Sequence, residues 1–229
     1  MNKSKLLKTI VAIVSVVAIS VGGYTYRDAI HSRIARTAAV VSGQEIKPLL
    51  DSEGRYIRQI VAKDNSTSRT IMWQSDSSEA DAVIEFRVDG SENIQSIGAT
   101  DKVFTDDGST TYIHEGTLTG LTPSTKYEYR VGYGNDRRSD WYSLETAGAS
   151  VYDVLIYPDS QSGDYSGWEQ LVKDSAHRNP RTALYISMGD LVDNGEQDYQ
   201  WRTWLNSIRP LSANVPLATT LGNHEMYTL

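Results

Sequence analysis

Residues 183–196 read A-L-Y-I-S-M-G-D-L-V-D-N-G-E, and this stretch decides the fold of the second half of the chain. The apolar run Ala183–Met188 predicts a buried strand, which breaks at Gly189 and delivers two carboxylates, Asp190 and Asp193. Ligands of open α/β sheets gather at the carboxyl ends of strands, so carboxylates there are placed for metal or phosphate chemistry. A polar turn after a strand is the simpler interpretation, because most carboxylates are merely exposed.

Strands and helices alternate around this stretch. The sequence predicts, in chain order, a strand Val151–Tyr157, a helix Ser166–Arg178, the strand Ala183–Met188, a helix Gln197–Ile208 and a strand Val215–Leu221. This β-α-β-α-β order indicates a parallel sheet with right-handed crossovers. All three strands would then present polar residues at the same edge of the sheet.

Three residues with side-chain oxygens follow these strands. Asp159, Asp190 and Asn223 each lie just beyond a strand, separated by 31 and 33 residues, so three oxygen ligands are expected to converge on one rim. With Asp193 and His224 they form a mixed oxygen and imidazole set of the kind that binds Fe, Mn or Zn ions. A carboxylate can bridge two cations about 3.5 to 4 Å apart, and the middle acid, Asp190, is suited to that position.

Residues 56–146 have a different pattern, with short β-type runs separated by polar turns. The predicted strands are Tyr56–Ala62, Thr70–Ser75, Ala82–Val88, Thr111–Leu118, Lys126–Tyr133 and Trp141–Thr146. In the third of them, apolar and charged residues alternate, which is typical of a sheet that packs on one side. Six or seven such strands in about ninety residues predict a β-sandwich.

The sequence L-T-P-S-T-K-Y at 121–127 sharpens this prediction. It resembles the tyrosine corner of fibronectin type III domains, in which a Tyr hydroxyl bonds back to the preceding loop, and Trp73 matches the core tryptophan of that fold. The resemblance implies packing roles for Tyr127 and Trp73.

Three motifs in the second half resemble those of calcineurin-like metallophosphoesterases: Asp159 in D-S-Q, the G-D-L-V-D-N-G run, and G-N-H-E. With a fibronectin-like domain before them, the resemblance is to the purple acid phosphatase branch, and it covers Tyr56 to the last residue. It implies that Asp159 binds one metal ion, that Asp190 bridges two, and that Asn223 binds the second. It further implies that His224 contacts the phosphate and can protonate the leaving group.

The chain departs from the family pattern at several positions. Gln161 stands where the family often has His or Gly, so the first metal would have a weaker ligand or none from it. Asp193 stands where purple enzymes carry a tyrosinate ligand, so no tyrosinate-to-iron colour is expected, and Asn194 stands where other members have a phosphate-binding Arg. Gln161, Asp193, Asn194 and Glu225 are therefore candidates for contacts with the substrate or with the metal ligands.

The family also places further histidine ligands downstream, in a lone-His motif and a G-H-x-H motif, whereas this sequence stops at Leu229. The histidines at 31, 114 and 177 are not placed to substitute for them. We therefore expect a truncated phosphoesterase domain, weakly active or inactive as 229 residues, with one apolar face of its sheet uncovered.

Charge and composition narrow the partners. Residues 1–36 hold six Lys or Arg against one Asp, so their charge of +5 leaves −12 for the rest of a chain whose net charge is −7. An acidic body argues against nucleic acid as a partner, because phosphate-backbone affinity needs clustered Lys and Arg. The sequence has no cysteine, which excludes disulfides and thiolate metal sites.

The N-terminus suggests export. Eighteen uncharged residues lie between Lys8 and Arg27 and follow three lysines, which is typical of a secretory signal or a signal anchor. We expect an extracytoplasmic body, either anchored in the membrane through this segment or secreted. A buried helix of a soluble protein is the alternative.

The predicted architecture is an N-terminal membrane helix or signal, an all-β fibronectin III-like sandwich, and a partial α/β (βαβαβ) half. The domains are a signal peptide or anchor with stalk at 1–36, a spacer at 37–55, the sandwich at 56–146, and the N-terminal part of a metallophosphoesterase domain at 151–229. The predicted function is hydrolysis of phosphate esters through two divalent or trivalent metal ions. The alternative is a non-catalytic cell-surface protein that binds a partner through the sandwich, with a vestigial phosphoesterase remnant.

Overall fold

The computed structural model describes residues 55–226, with gaps at 76–80, 107–108, 135–136, 149–151 and 163. The predicted signal or anchor and the spacer lie outside the described residues, except for the last spacer residue, Arg55. Within the described ranges, every helix is too short or too polar to cross a membrane. The predicted domain boundaries remain predictions.

Nine described strands form the first part. They are β1 (Arg55–Ile60), β2 (Ser68–Ser75), β3 (Ala82–Val88), β4 (Gln95–Gly98), β5 (Thr100–Asp106), β6 (Ser109–Thr119), β7 (Lys126–Tyr133), β8 (Arg137–Arg138) and β9 (Tyr142–Glu145). Six of them match the predicted strands to within two residues at each end, and the sequence pattern missed β4, β5 and β8.

The second part alternates strands and helices as predicted. Its elements are β10 (Asp153–Tyr157), α1 (Ser166–Arg178), β11 (Thr182–Ser187), α2 (Asp198–Ser212) and β12 (Leu217–Thr219). The three strands pair in parallel, β10 with β11 and β11 with β12. The helix α1 has the predicted bounds, but α2 extends four residues beyond the predicted end and includes Pro210 in its last turn.

The two parts share one sheet, which the sequence did not predict. β1 pairs in parallel with β12, with Ile60 opposite Leu217, so a seven-stranded sheet runs in the order β10-β11-β12-β1-β2-β6-β5. The second sheet of the sandwich contains β4, β3, β7 and β8, with β9 also paired to β7. At the junction, Gln59 Nε2 donates to the carbonyl of Ala213 at 2.9 Å, and Tyr129 Oη donates to the same carbonyl at 2.6 Å. The α/β part is therefore held to the sandwich by both strand pairing and buried hydrogen bonds.

The sandwich core confirms the fibronectin-like prediction. Trp73 is fully buried, and its Nε1 donates to Tyr133 Oη at 2.9 Å. The Thr122 N–H donates to Tyr127 Oη at 3.0 Å, which is the predicted bond from the loop to the tyrosine hydroxyl. The remaining core consists of buried apolar side chains from both sheets, including Ile57, Ile71, Ile84, Phe86, Leu118, Tyr129, Val131 and Leu144.

The α/β part is covered on one face only by the described helices. Trp168 and Val172 of α1 and Trp204 of α2 pack with Tyr157 and Tyr185 of the strands. The strand register places Val154, Ile156, Leu184 and Ile186 together on the other face. The Ile156 residue there is 61% exposed, so the predicted exposed apolar surface is present.

Candidate functional site

Three loops leave the carboxyl ends of β10, β11 and β12, and each carries one candidate ligand. We name them the β10 loop (158–162), the β11 loop (188–197) and the β12 loop (220–226). They hold Asp159, Asp190 and Asn223, respectively. The N–H groups of Ser160 and Gln161 donate to the Asp190 carbonyl at 3.1 and 2.9 Å, so the β10 and β11 loops meet at Asp190.

Asp190 also contacts the β12 loop, on both sides of Asn223. A Cβ atom added at Gly222 would overlap the Asp190 carboxylate, so the close approach of the two loops requires glycine there. The His224 N–H donates to Asp190 Oδ1 at 3.0 Å. Asp190 itself has a φ of 47°, a left-handed conformation that is uncommon for residues other than glycine. The structure thus brings the Asp190 carboxylate to the place where the second and third loops touch.

Glu225 joins these two loops through its carboxylate. Its two oxygens accept hydrogen bonds from four backbone N–H groups, at 2.9 Å from Asp190, 2.7 Å from Leu191, 3.0 Å from Val192 and 2.7 Å from Gly222. A carboxylate with this many backbone donors is well compensated for partial burial. Glu225 was predicted as a contact of the substrate or of the metal ligands, and here its carboxylate binds the loop backbone.

The rest of the β11 loop is held by α2 and by the residue before α1. Gln200 Oε1 accepts the N–H groups of Asp193 at 2.7 Å and Asn194 at 3.0 Å, and the Tyr165 hydroxyl at 3.2 Å. Burial raises the pKa of Tyr165 to about 12, so its hydroxyl stays a donor at neutral pH. Sequence reasoning missed Gln200 and Tyr165, because neither stands in a motif. A polar residue within the buried face of α2 was the available indication for Gln200.

His224 is positioned by the β11 loop. Its Nδ1 lies 2.7 Å from the Asp193 carbonyl oxygen, which can only accept, so Nδ1 carries the proton in this contact. The Asp193 carboxylate is farther away, with Oδ1 3.8 Å from Nδ1. The Gly195 N–H donates to the His224 carbonyl at 2.9 Å, and a Cβ atom at Gly195 would overlap the backbone of Glu225. The turn N-G therefore packs directly against the third motif.

Three other predicted residues lie in the β10 and β11 loops. Asn194 is 9% exposed, and its Oδ1 accepts the N–H of Glu196 at 2.9 Å, as expected of a turn-forming residue. Gln161 is half-buried, and its Oε1 atom is buried with no hydrogen-bond partner among the described residues. Asp159 is exposed, and its Oδ1 accepts the Gln161 N–H at 3.3 Å.

The side chains match a metal site in kind. The candidates provide two carboxylates, an amide and an imidazole, which are donors that first-row transition metals accept. Asp190 Oδ1 belongs to the β11 loop and packs against Gly222 of the β12 loop. In the ranges that the structure describes, His, Cys, Asp and Glu form no group of three or more able to hold a metal ion by themselves.

A fibronectin-like sandwich joined to a parallel sheet whose strand-end loops carry acidic residues is the arrangement expected of a metallophosphoesterase with an N-terminal β domain. Residues 56–146 match the family model of the purple acid phosphatase N-terminal domain, and residues 139–228 match the calcineurin-like phosphoesterase model. The chain belongs to the purple acid phosphatase-like metallophosphoesterases.

Curated relatives agree with this assignment. The chain is 28% identical over 136 residues to "Probable inactive purple acid phosphatase 1" of Arabidopsis thaliana, a match that covers 50% of this chain and 22% of the relative. It is 29% identical over 124 residues to the purple acid phosphatase of Glycine max, covering 51% of this chain and 26% of the relative. The matched regions thus span about a quarter of the length of these relatives.

A solved structure shares the fold. The purple acid phosphatase PPD1 isolated from yellow lupin (Lupinus luteus) seeds superposes with a TM-score of 0.67 at 20% sequence identity. The match covers 77% of this chain and 36% of the lupin chain. At this identity the likeness concerns the fold, and the chemistry of the site rests on the loops themselves.

Proposed function

We propose that the chain is the β-sandwich and metal-binding part of an exported, metal-dependent phosphoesterase that hydrolyses phosphate esters. The proposed ligands are Asp159 for one metal ion, Asp190 as the bridge, and Asn223 for the second. The observation that carries this proposal is the contact of the β10 and β12 loops with Asp190. Family membership and the donor types support it, and the metals would be Fe, Mn or Zn ions.

The proposed domain organisation completes this assignment. Residues 1–36 would export the protein as a cleaved signal or hold it to the membrane as an anchor, with a spacer at 37–55. Residues 56–146 would form the sandwich domain, and 151–229 the phosphoesterase part. The location would be extracytoplasmic, and nucleic acid is not expected as a partner because the body is acidic.

When bound, two cations would supply a nucleophilic hydroxide and stabilise the charge of the phosphoryl group. The chain's own residues would orient the substrate and move one proton. The Asp193 carbonyl holds the His224 Nδ1 proton, which aims the imidazole and leaves proton exchange with the substrate to Nε2. When Nε2 also carries a proton, His224 would donate it in a hydrogen bond to a phosphate oxygen and could pass it to the leaving group, which leaves a neutral imidazole that is still protonated at Nδ1.

The turnover of these 229 residues should be weak or absent. Among the described histidines, His114 is fully buried in the sandwich and His177 is exposed at the end of α1, so His224 is the imidazole that reaches the loops. Each metal ion would then lack the imidazole ligands that the family resemblance implies. Metal binding is therefore a more sensitive test than hydrolysis.

The proposal is tested by titrating the full chain with Mn²⁺ or Zn²⁺ and following bound metal and heat of binding. Asp190→Asn should weaken metal binding by more than the roughly 10- to 100-fold that is typical of residues that only support a ligand, because the bridging charge is removed while the volume is kept. Asp174→Asn, on the exposed side of α1, is the matched control and should bind like the parent chain. An aryl-phosphate assay runs in parallel. Equal binding by Asp190→Asn and the parent chain would refute the proposed site.

The second candidate is a non-catalytic cell-surface protein that binds a partner through the sandwich. It is favoured by the lack of a three-residue His, Cys, Asp or Glu cluster in the described ranges. The word "inactive" in the name of an Arabidopsis relative points the same way. A parent chain that takes up no metal in the titration would select this candidate.

A further inference from the structure

Five consecutive backbone N–H groups of the β11 loop donate to side-chain oxygens, mainly those of Glu225 and Gln200, and the N–H of Asp193 also reaches Tyr165 Oη at 3.2 Å. Glu225 accepts those of residues 190, 191 and 192, and Gln200 accepts those of residues 193 and 194. Adjacent amides that point inward form a concave site for an anion or a carbonyl oxygen. In this loop the concavity is filled by side chains of the chain itself.

The N–H groups of residues 190–194 are not paired within a helix or a strand, because the loop has no regular secondary structure. Gly189 has a φ of 90° and Asp190 a φ of 47°, so the chain turns sharply at the start of the loop. A left-handed conformation at a residue other than glycine is unfavourable and persists only where its surroundings enforce it. The hydrogen bonds to Glu225 and Gln200 supply that enforcement at the residue that we assign as the bridging ligand.

Glu225 reaches beyond the β11 loop. Its Oε2 atom accepts the N–H of Gly222 as well as that of Asp190, so one oxygen fastens two loops together. Asn223 lies between Gly222 and Glu225, so both of its flanking segments are held against the β11 loop. The Glu225 carboxylate therefore fixes the separation between the Asp190 and Asn223 backbones together with the bond from the His224 N–H to Asp190 Oδ1.

We propose that Glu225 and Gln200 are positioning residues that form the Asp190–Asn223 geometry before any metal or substrate binds. The claim that the loop is preformed does not depend on the proposed function. The claim that this preformed loop raises metal affinity rests on the proposed function. Glu225 binds the amides of Asp190 and Gly222, so it would act on a bound metal ion through Asp190 and through Asn223, which follows Gly222.

Amide hydrogen exchange of the metal-free full chain tests the first part. The amides of residues 190–194 and 222 should be protected in the parent chain. In Glu225→Gln, the new NH₂ group cannot accept, so the two amides facing it lose their partner and their protection falls roughly tenfold or more. Glu196→Gln, the same change at an exposed glutamate of the same loop, should leave these amides unchanged. Unprotected amides in the parent chain would overturn the proposal.

Metal affinity tests the second part. The Mn²⁺ affinity of Glu225→Gln, measured by electron paramagnetic resonance, should fall about 10- to 100-fold relative to Glu196→Gln, with an altered spectrum of the bound ion. Equal affinities and spectra in the two folded variants would refute the positioning role. A parent chain without Mn²⁺ binding would instead refute the proposed function, while the exchange data would still decide whether the loop is preformed.

Gln200 gives an independent pair of variants in case Glu225→Gln does not fold. Gln200→Met removes the acceptor of the Asn194 amide and leaves the Asp193 amide only the longer bond to Tyr165 Oη, whereas Gln200→Glu keeps an oxygen opposite both amides. We expect loss of protection and weaker Mn²⁺ binding in the first variant and their recovery in the second. Parent-like exchange and affinity in Gln200→Met would contradict the proposal.

Discussion

The sandwich and the strand-end loops are stabilised by different means. The sandwich buries large apolar side chains from two sheets, with Trp73, Ile71 and Ile84 fully buried. The loops instead depend on hydrogen bonds to a few side chains, of which Glu225 and Gln200 are the main acceptors. An apolar core tolerates substitutions that keep its volume, whereas a hydrogen bond is lost when its acceptor is replaced. The stability of the sandwich and the geometry of the loops should therefore respond to different substitutions.

The junction between the two parts offers a larger effect than the substitutions at Glu85 and Ile156 described below. Gln59 is fully buried, donates to the Ser143 and Ala213 carbonyls, and accepts from Arg69 Nη1 at 3.0 Å. Gln59→Met keeps the approximate volume but removes all three bonds. We expect the free energy of unfolding to fall by about 2 to 3 kcal/mol, because buried polar groups lose a partner. Urea denaturation followed by circular dichroism measures this.

The matched control is Gln74→Met, on the neighbouring strand β2 at a half-exposed position. Its effect should stay within about 0.5 kcal/mol. If the two substitutions cost the same, Gln59 does not couple the sandwich to the α/β part. Two separate unfolding transitions in Gln59→Met would show that the shared sheet alone does not keep the parts cooperative.

A smaller effect is expected on the stability of the sandwich at acid pH, through Glu85. Burial raises the pKa of Glu85, but hydrogen bonds from Arg138 at 2.8 Å and Arg130 at 2.7 Å outweigh it, so the pKa lies below the usual 4.5. A carboxyl group with a lowered folded-state pKa stabilises the fold above its unfolded pKa, and the contribution is lost as the pH falls through the folded value. Glu85→Gln should therefore flatten the stability profile below about pH 4.5, by up to about 1 kcal/mol.

Denaturation midpoints at pH 3 to 7 measure this difference. Glu92→Gln, an exposed glutamate in the turn after β3, is the control and should retain the parent profile. If the stability of Glu85→Gln falls with acid as steeply as that of the parent chain, the two arginine contacts of Glu85 are not the cause of the parent's acid sensitivity.

Local patterns predicted much of the fold, and contacts distant in sequence did not. The tyrosine corner joins residues five apart, and the apolar spacing of α1 is internal to it, so both could be read from the sequence. The strand β5 reads T-D-K-V-F-T-D and lies at the edge of its sheet. Its apolar residues Val103 and Phe104 are adjacent in sequence and both exposed, so the apolar–polar alternation that marks a strand is absent. The pairing of β1 with β12 joins distant segments and has no sequence signature.

The candidate site divides in the same way. The motifs identified Asp159, Asp190 and Asn223 because their type and position after a strand are visible in the sequence. The roles of Gln200 and Tyr165 depend on the direction of loop amides, which follows from the left-handed turn at Asp190. A Gly-Asp pair does not fix that turn by itself, so the acceptors could not be inferred.

The smallest effect is expected on the uncovered face of the α/β sheet, and it sharpens the comparison with the sandwich. Ile156 is 61% exposed, whereas Ile84 of the sandwich is fully buried. Ile84→Ala should cost about 2 to 5 kcal/mol, because it leaves a cavity in a closed core. Ile156→Ala should change the free energy of unfolding by about 0.5 kcal/mol or less, because little apolar surface returns to water.

The same substitution at Ile156 should nevertheless lower the binding of a hydrophobic dye and the tendency of the chain to self-associate, since it trims an exposed apolar patch. Light scattering and dye fluorescence measure both, with Ile84→Ala as the reference for a destabilised but unaltered surface. A cost at Ile156 close to that at Ile84 would mean that the strand face is covered in solution. Because Ile156 lies on β10, whose end bears Asp159, that result would also change the surroundings expected for the first proposed ligand.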